Sequence, residues 1–506
     1  MDAARGRTGE FTNAPGFDLT CPVDVPQTHT CEWRDEAERL RGEVSGLQQQ
    51  LAALAGNLQS LQRAVFGKRS EKMPPVGKQL RGDKPASSEE ALKKRRANKA
   101  ARAAMPEREV HHAVPAEDKV CPKCGGTDFR PLGEGKRTVV YEYVPAHLEK
   151  QVHVQETLSC RCGECVLTAP APKAVEGGQY GPGLMAHVVV SKCLDSTPLY
   201  RQARALARAG VPVHRNTLGD LFHAAADSLE PLYRRLLDVI RLEQYVQADE
   251  TPQRVLEKGK TRKGYVWTFR AGKLVAYVHA HGRSGETAVS VLGGTRGWLQ
   301  VDGYTGYNAV TVPEGRVRVG CWAHVRRKFF DALATAPESQ AALDAILALY
   351  RVEADVQAAG TQGTEVHLQQ RAAVSAAVVQ RLAAWMAEEA VRHPPKSPLG
   401  VAIRYAQGQW TALCRFLEDA RLRLDNNPSE QALRKVALGR KNYLFVGHDE
   451  AGANLAGLMS LLATCEENGV NPEAYVADVL MRVQHHPASQ LDELLPHRWV
   501  PLSNTS

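Results

Sequence analysis

Ala37, Leu40, Val44, Leu47, Leu51, Leu54, Leu58, Leu61 and Val65 follow one another at alternating steps of three and four, with Gln, Arg, Glu and Ser on the other faces. A stripe of that width is an a/d seam rather than the broader face of a globular-core helix. It predicts a coiled coil over residues 31–66, and so a homodimer or higher oligomer. Gly42, Gly46 and Gly56 each weaken it by up to about 1 kcal/mol, and Gly67 can stop the helix. Residues 1–30 carry no such pattern and are expected to be disordered.

Residues 176–242 read as helices. "PLYRQARALARAG" is one amphipathic helix ending at Gly210, and "VPVHRNTLGDLFHAAADSL" restarts near Asn216–Thr217. The pair is a helix-turn-helix that would bind DNA, or a plain helical hairpin. At Tyr245 the period changes to that of strands. "YVQADET" is a strand ending in Asp249, and "KGYVWTFRA" and "KLVAYVHA" are two more, joined at Ala271–Gly272. A helix over "GETAVSVLG" precedes the strand "GWLQVDGYTGY", which delivers Asp302; "RVRVGCWAH" is a fifth strand leading into the helix "VRRKFFDAL". That order matches a ribonuclease-H-like α/β catalytic domain over 243–447. Ala-rich, helically periodic sequence between Asp302 and Glu430 predicts an all-α insertion at about 331–403, and residues 448–506 form a C-terminal helical region and tail.

Composition adds little until charge is located. The 506 residues are 43% hydrophobic and 24% charged, as in ordinary soluble proteins. No run is long enough to span a membrane and the first thirty residues lack a signal-peptide core, so a cytoplasmic, nucleoid-associated location is expected. Between Gly67 and Arg108 there are thirteen Lys or Arg against five Asp or Glu, which equals the whole net charge of +8. This basic linker, 67–110, includes Lys93, Lys94, Arg95 and Arg96; it is either a solvated connector or an arm that binds DNA phosphates.

Five of the eleven cysteines fall between residues 121 and 165. Cys121 and Cys124 have the CxxC spacing, and Cys162 and Cys165 repeat it, with Cys160 as an alternative ligand. Two such knuckles around a β-rich segment predict a zinc-ribbon-like module over 111–175, its Zn²⁺ structural because four thiolates leave no open position.

Three carboxylates remain. In the predicted domain Asp249, Asp302 and Glu430 converge at one sheet edge, where they can hold two Mg²⁺ or Mn²⁺ ions about 4 Å apart for phosphodiester chemistry. Each also has a plainer reading. Asp249 and Asp302 suit turns. Glu430 suits a capping box in which Asn427 is the N-cap, Pro428 the first helical residue and Glu430 the third.

Together "FGKRSEK", Cys121 and Cys124, "ADET", "VDGYTGYN", "GCWAHVRRKF" and "DNNPSEQALRKVALGRKNYLF" resemble the transposases of the insertion sequence 66 family, within the DDE class. The resemblance covers the chain from the coiled coil to about residue 490. It implies that Asp249, Asp302 and Glu430 are the catalytic and metal-binding triad, Glu430 capping its helix as well. It further implies metal-dependent cleavage at the ends of the element, strand transfer to target DNA, and small accessory proteins from the same element. The departure is C-R-C-G-E-C in place of a clean second CxxC. Cys321 and His324 form a CxxH read here as support for the site, with Asn427, and Arg326, Arg327, Arg434, Lys435, Arg440 and Lys441 are candidates for phosphate contacts. The rival class is a catalytically silent DNA-binding regulator derived from such an enzyme.

Overall fold

The structure, a computed structural model, describes residues 180–502 together with 39, 40, 42–44, 46, 96, 100, 157–159, 166–168 and 174. Most of the heptad seam, Lys93, Lys94, Arg95 and the five clustered cysteines lie outside the described residues; Arg96 is helical and exposed. Within the first of two units (Met1–Ser70), residues 39, 40, 42–44 and 46 are helical, and the apolar Leu40 and Val44 are exposed.

In the second unit, strands β1 (Thr157–Ser159) and β2 (Val166–Thr168) pair antiparallel. Helices α1 (Pro182–Cys193), α2 (Leu199–Arg208) and α3 (Arg215–Leu242) follow. The α2–α3 turn uses Gly210 at φ +85°, and the His214 ring accepts the Asn216 N–H to start α3. One face of α3 (Leu218, Phe222, Ala225, Leu229, Leu232, Leu236 and Ile240) is buried in the main core.

The sheet comprises β3 (Tyr245–Glu257), β4 (Lys260–Ala271), β5 (Leu274–Ala280), β6 (Gly297–Gln300) and β7 (Arg316–Val319), ordered β5-β4-β3-β6-β7. The first three are antiparallel; β6 and β7 run parallel to β3. Helix α4 (Glu286–Leu292) connects β5 to β6. Both glycine turns are tight, Gly259 at φ +72° and Gly272 at φ +57°, a region that favours glycine.

Two expectations need correction. The first strand does not end near Asp249 but continues to Glu257, paired with β4 throughout. Pro252 does not stop it, because β6 covers β3 only from Tyr245 to Gln247, and beyond that point β3 has a free side that tolerates proline. The later helix begins one residue early, at Asn427.

Beyond β7 come α5 (Trp322–Ala332), α6 (Ser339–Ala359), α7 (Glu365–Gln370), α8 (Ala376–Arg392), α9 (Pro398–Gly408) and α10 (Trp410–Cys414). They enclose a second core around Trp322, Phe329, Ile346, Leu382 and Phe416, which meets the sheet at Val319, Tyr245 and Trp298. Buried Arg371 donates to Glu353 at 2.8 Å and to the carbonyls of Phe416, Asp419 and Leu422. It thereby straps the returning chain, which leads into α11 (Asn427–Tyr443), onto these helices.

Helix α12 (Asp449–Asn468) covers the β5 edge: Ser460 Oγ accepts the Tyr277 N–H at 2.8 Å and Thr464 Oγ1 accepts that of Val275 at 3.1 Å. Side-chain hydroxyls thus satisfy an edge that would otherwise recruit another strand. Helix α13 (Pro472–Arg482) closes the main core. Among the described residues no helix is long and apolar enough to cross a membrane.

Gln247 and Gln300 sit side by side in the parallel β3–β6 register, both buried. Gln247 Nε2 donates to Gln300 Oε1 at 2.9 Å, and Gln300 Nε2 donates to the carbonyls of Gly320 (3.0 Å) and Arg423 (2.7 Å). Replacing Gln300 by Leu removes these three bonds and leaves polar groups at the buried Gly320 and Gln247 positions short of a partner. The unfolding free energy should fall by on the order of 3 kcal/mol in a denaturant titration; a change below about 0.5 kcal/mol, typical of surface substitutions, contradicts this role.

Candidate active site: carboxylates at the free side of β3

The glutamine pair sets the positions of the first two acids. Side chains two residues further along adjacent strands share a face, so Asp249 and Asp302 emerge together just beyond Gln247 and Gln300. Each commits one oxygen to a nearby backbone N–H. Asp249 Oδ1 accepts the Glu250 N–H at 2.9 Å, and Asp302 Oδ1 accepts the Tyr304 N–H at 2.9 Å. The turn reading of Asp302 therefore holds without excluding a ligand role. Arg318 donates to the carbonyls of Asp302 and Tyr304 and to Asn308 Oδ1, which fixes the loop.

Helix α11 lies along the free side of β3 and is pinned at both ends. Asn426 Nδ2 donates to the Ala248 carbonyl at 2.7 Å at its start, and Val446 bonds to Arg254 and Leu256 after its end. The lengths agree: a 17-residue helix is about 25 Å long, as is the eight-residue step from Ala248 to Leu256. Glu430, one turn into the helix, is consequently level with Asp249. Asp302 and Glu430 both rank among the charges acting on Asp249.

The expected capping box is absent. Asn426, not Asn427, is the N-cap, so Glu430 is the fourth helical residue and no side chain caps the N-terminus. The preceding Asp425 takes over: its Oδ1 accepts the Asn427 N–H at 3.1 Å and its Oδ2 accepts from Asn427 Nδ2 at 2.8 Å, with the Tyr350 hydroxyl as a further donor. Glu430 is released from capping. Its Oε1 is buried without a hydrogen-bond partner, 3.8 Å from His324 Nδ1.

Burial, and then the negative charge of Glu250, push the Asp249 carboxyl up to about 8. Glu250 faces the other way. It is itself buried, accepting from the Tyr307 hydroxyl at 2.6 Å and Arg283 Nε at 2.7 Å, while Arg283 stacks 4.0 Å over the Tyr304 ring. This network ties the Asp302 loop to β3. Sequence reasoning missed it, although Glu250 adjoins Asp249 in "ADET" and both tyrosines lie in "VDGYTGYN". An acidic cluster of oxygen donors, one carboxyl held protonated near neutrality and another with an orphaned oxygen, fits a hard divalent cation.

Of the other expected site residues, Cys321 and His324 lie beside Glu430 and the basic ones are spread over the surface and the chain's own contacts. Cys321 caps no hydrogen bond of α5 but its sulfur accepts the Asn426 N–H at 3.3 Å; His324 lies one turn later. Arg327, Arg434 and Lys441 are exposed. Arg326 stacks near Phe330, Lys435 pairs with Glu466, and Arg440 donates to Thr251 Oγ1 and the Pro252 carbonyl, so the last two are engaged within the chain.

Comparison with known proteins agrees along the chain. A model described as the transposase IS66 family matches residues 177–454, an IS66 C-terminal element matches 460–497, and a zinc-finger binding domain of transposase IS66 matches 118–163. Two uncharacterized proteins of Sinorhizobium fredii, y4jD and y4qI, are each 31% identical; the alignments cover 91% of this chain and 97% of the first, and 92% of this chain and 92% of the second.

The raised Asp249 carboxyl has a measurable consequence. In the unfolded chain an aspartate titrates near about 3.9, so its ionisation weakens the metal-free fold progressively from about pH 4 to about pH 8, and fully above that. Asp249→Asn should flatten that part of the Tm–pH profile. Mg²⁺ should raise the wild-type Tm at pH 8, reflecting a stabilisation on the order of 2.7 kcal/mol at a hundredfold excess over Kd, and raise that of the variant less. Equal Mg²⁺ shifts in the two proteins contradict the assignment.

Proposed function

The chain belongs to the IS66 transposase family, and on that premise we propose that it is a DDE transposase that cleaves DNA at the ends of its own element and joins them to target DNA. The observation that carries this reading is the convergence of Asp249, Asp302 and Glu430 on one side of a sheet ordered β5-β4-β3-β6-β7. That order, with three antiparallel strands followed by two parallel ones, also supports a ribonuclease-H-like catalytic domain interrupted by helices α6 to α9.

Asp249 and Asp302 from adjacent strands, and Glu430 from α11, would hold Mg²⁺ or Mn²⁺. When bound, two such ions activate the attacking oxygen and stabilise the leaving oxygen of an in-line phosphoryl transfer. The residues supply rigidity and charge. The glutamine pair holds the two aspartates in register, and the pins at Ala248 and Val446 hold Glu430 level with them. Asp249 gives up its proton on taking a cation, so occupancy improves as pH rises. Exposed Arg327, Arg434 and Lys441 would meet DNA phosphates, which position the duplex without reading its sequence.

The zinc-finger match supports a structural Zn²⁺ site drawn from Cys121 and Cys124 with two of Cys160, Cys162 and Cys165; the matched span encloses the first two of those three. Self-association through residues 31–66, contacts from the basic arm and accessory proteins from the same element belong to the same reading.

Glu430→Gln separates catalysis from helix structure, because Glu430 makes no cap. Cleavage of labelled end DNA with Mg²⁺ or Mn²⁺ should fall by orders of magnitude while thermal stability and end-DNA binding barely change. Cleavage at the wild-type rate would leave Glu430 a structural residue and overturn the proposal.

A further inference from the structure

Cys321, His324 and Glu430 present one ligand atom each, and these atoms all lie within 4.8 Å of one another. The grouping is built by three fixed elements. Cys321 ends the β7 exit and precedes α5. His324 follows at the i+3 position, so both project from one face of the first helical turn. Glu430 comes from the first turns of α11, and Asn426 at the head of that helix holds it against the sulfur through its N–H at 3.3 Å.

Two of the three donors lack partners. His324 Nδ1 and Glu430 Oε1 are buried atoms without a hydrogen bond, facing each other at 3.8 Å. That separation is too long for a hydrogen bond and near the ligand–ligand spacing around a small cation, whose bonds to sulfur, nitrogen and oxygen are roughly 2.0–2.3 Å. Leaving two polar atoms buried and unpaired costs stability, and a cation between them removes that cost. The His324 and Glu430 side chains are partly exposed, at 24% and 27%, so an ion has a route in.

The donor types select the ion. The Asp249–Asp302–Glu430 cluster is all oxygen and suits hard Mg²⁺ or Mn²⁺. One thiol and one imidazole beside a carboxylate suit a softer, tetrahedral ion instead. We propose that Cys321, His324 and Glu430 form a binding site for a zinc-class divalent transition metal, next to the carboxylate site and sharing Glu430 with it. The inference rests on donor geometry and not on strand cleavage. A protein that binds the metal here but cuts no DNA would sink the transposase reading alone.

The test uses the full chain, purified under reducing conditions with zinc, freed of excess metal and titrated anaerobically with Co²⁺. Zinc and cobalt are counted together by elemental analysis, and the thiolate-to-cobalt charge-transfer band is followed. Wild-type protein should bind one equivalent more metal than Cys321→Ser, with the difference carried by a band that Cys321→Ser lacks or by zinc already bound. His324→Gln and Glu430→Gln should each weaken that equivalent at least about tenfold. Both remain informative if Cys321→Ser misfolds, and circular dichroism checks the folding of all three. Equal total metal in wild type and Cys321→Ser, or unchanged affinity in folded His324→Gln and Glu430→Gln, would overturn the proposal.

Discussion

Two glutamines, side by side on adjacent parallel strands, hold the functional end of this sheet together. Buried amides must find partners, and Gln247 and Gln300 find each other first. What is left over reaches outward. Gln300 takes the carbonyls of Gly320 and Arg423, and Gln247 also reaches the Asp425 carbonyl at 3.3 Å. One pair of side chains therefore joins β3, β6, the exit of β7 and the segment that launches α11. Asp249 and Asp302 stand two residues beyond the pair, and Glu430 follows from that segment. Arg371, from the helices between β7 and α11, and Gln300, from β6, fix where the chain returns to the sheet.

The acids come together against their mutual repulsion. Burial and neighbouring carboxylates hold Asp249 protonated near neutrality; burial raises Glu250 as well, and the Tyr307 hydroxyl and Arg283 oppose that rise. The fold tolerates a cluster that a cation would relieve. Such local instability, surrounded by a rigid frame, is expected where a protein is built to bind an ion rather than to be most stable.

Much of this was legible in the sequence. Alternating apolar positions marked the five strands of the sheet, and the sharp shift at Tyr245 marked where it begins. Asp302 and Glu430 were identifiable because one adjoins Gly303 just past a strand and the other lies near the start of a helix; Asp249 was picked out as a strand end, although its strand runs on to Glu257. What was not legible depended on tertiary partners. The first strand was expected to end at Asp249, yet it runs on through Pro252, because β3 has nothing to bond on that side until Val446 arrives. "DNNPSE" offers three successive capping residues, and only Asp425's bonds to Asn427 decide which one opens the helix. Nothing local in the sequence says that Gln247 and Gln300 will each bury an amide against the other. The Cys321–His324 pair was visible as CxxH, but its third donor lies more than a hundred residues away in "NPSE".

The central claim is that Asp249, Asp302 and Glu430 form one cation site. Anomalous diffraction from crystals of the protein soaked in Mn²⁺ tests it most directly. The account predicts Mn²⁺ peaks bonded to all three carboxylates, with His324 and Cys321 outside the coordination sphere of those ions. Peaks confined to other acidic groups, with Asp249 and Asp302 still accepting only from the Glu250 and Tyr304 N–H groups, would contradict it.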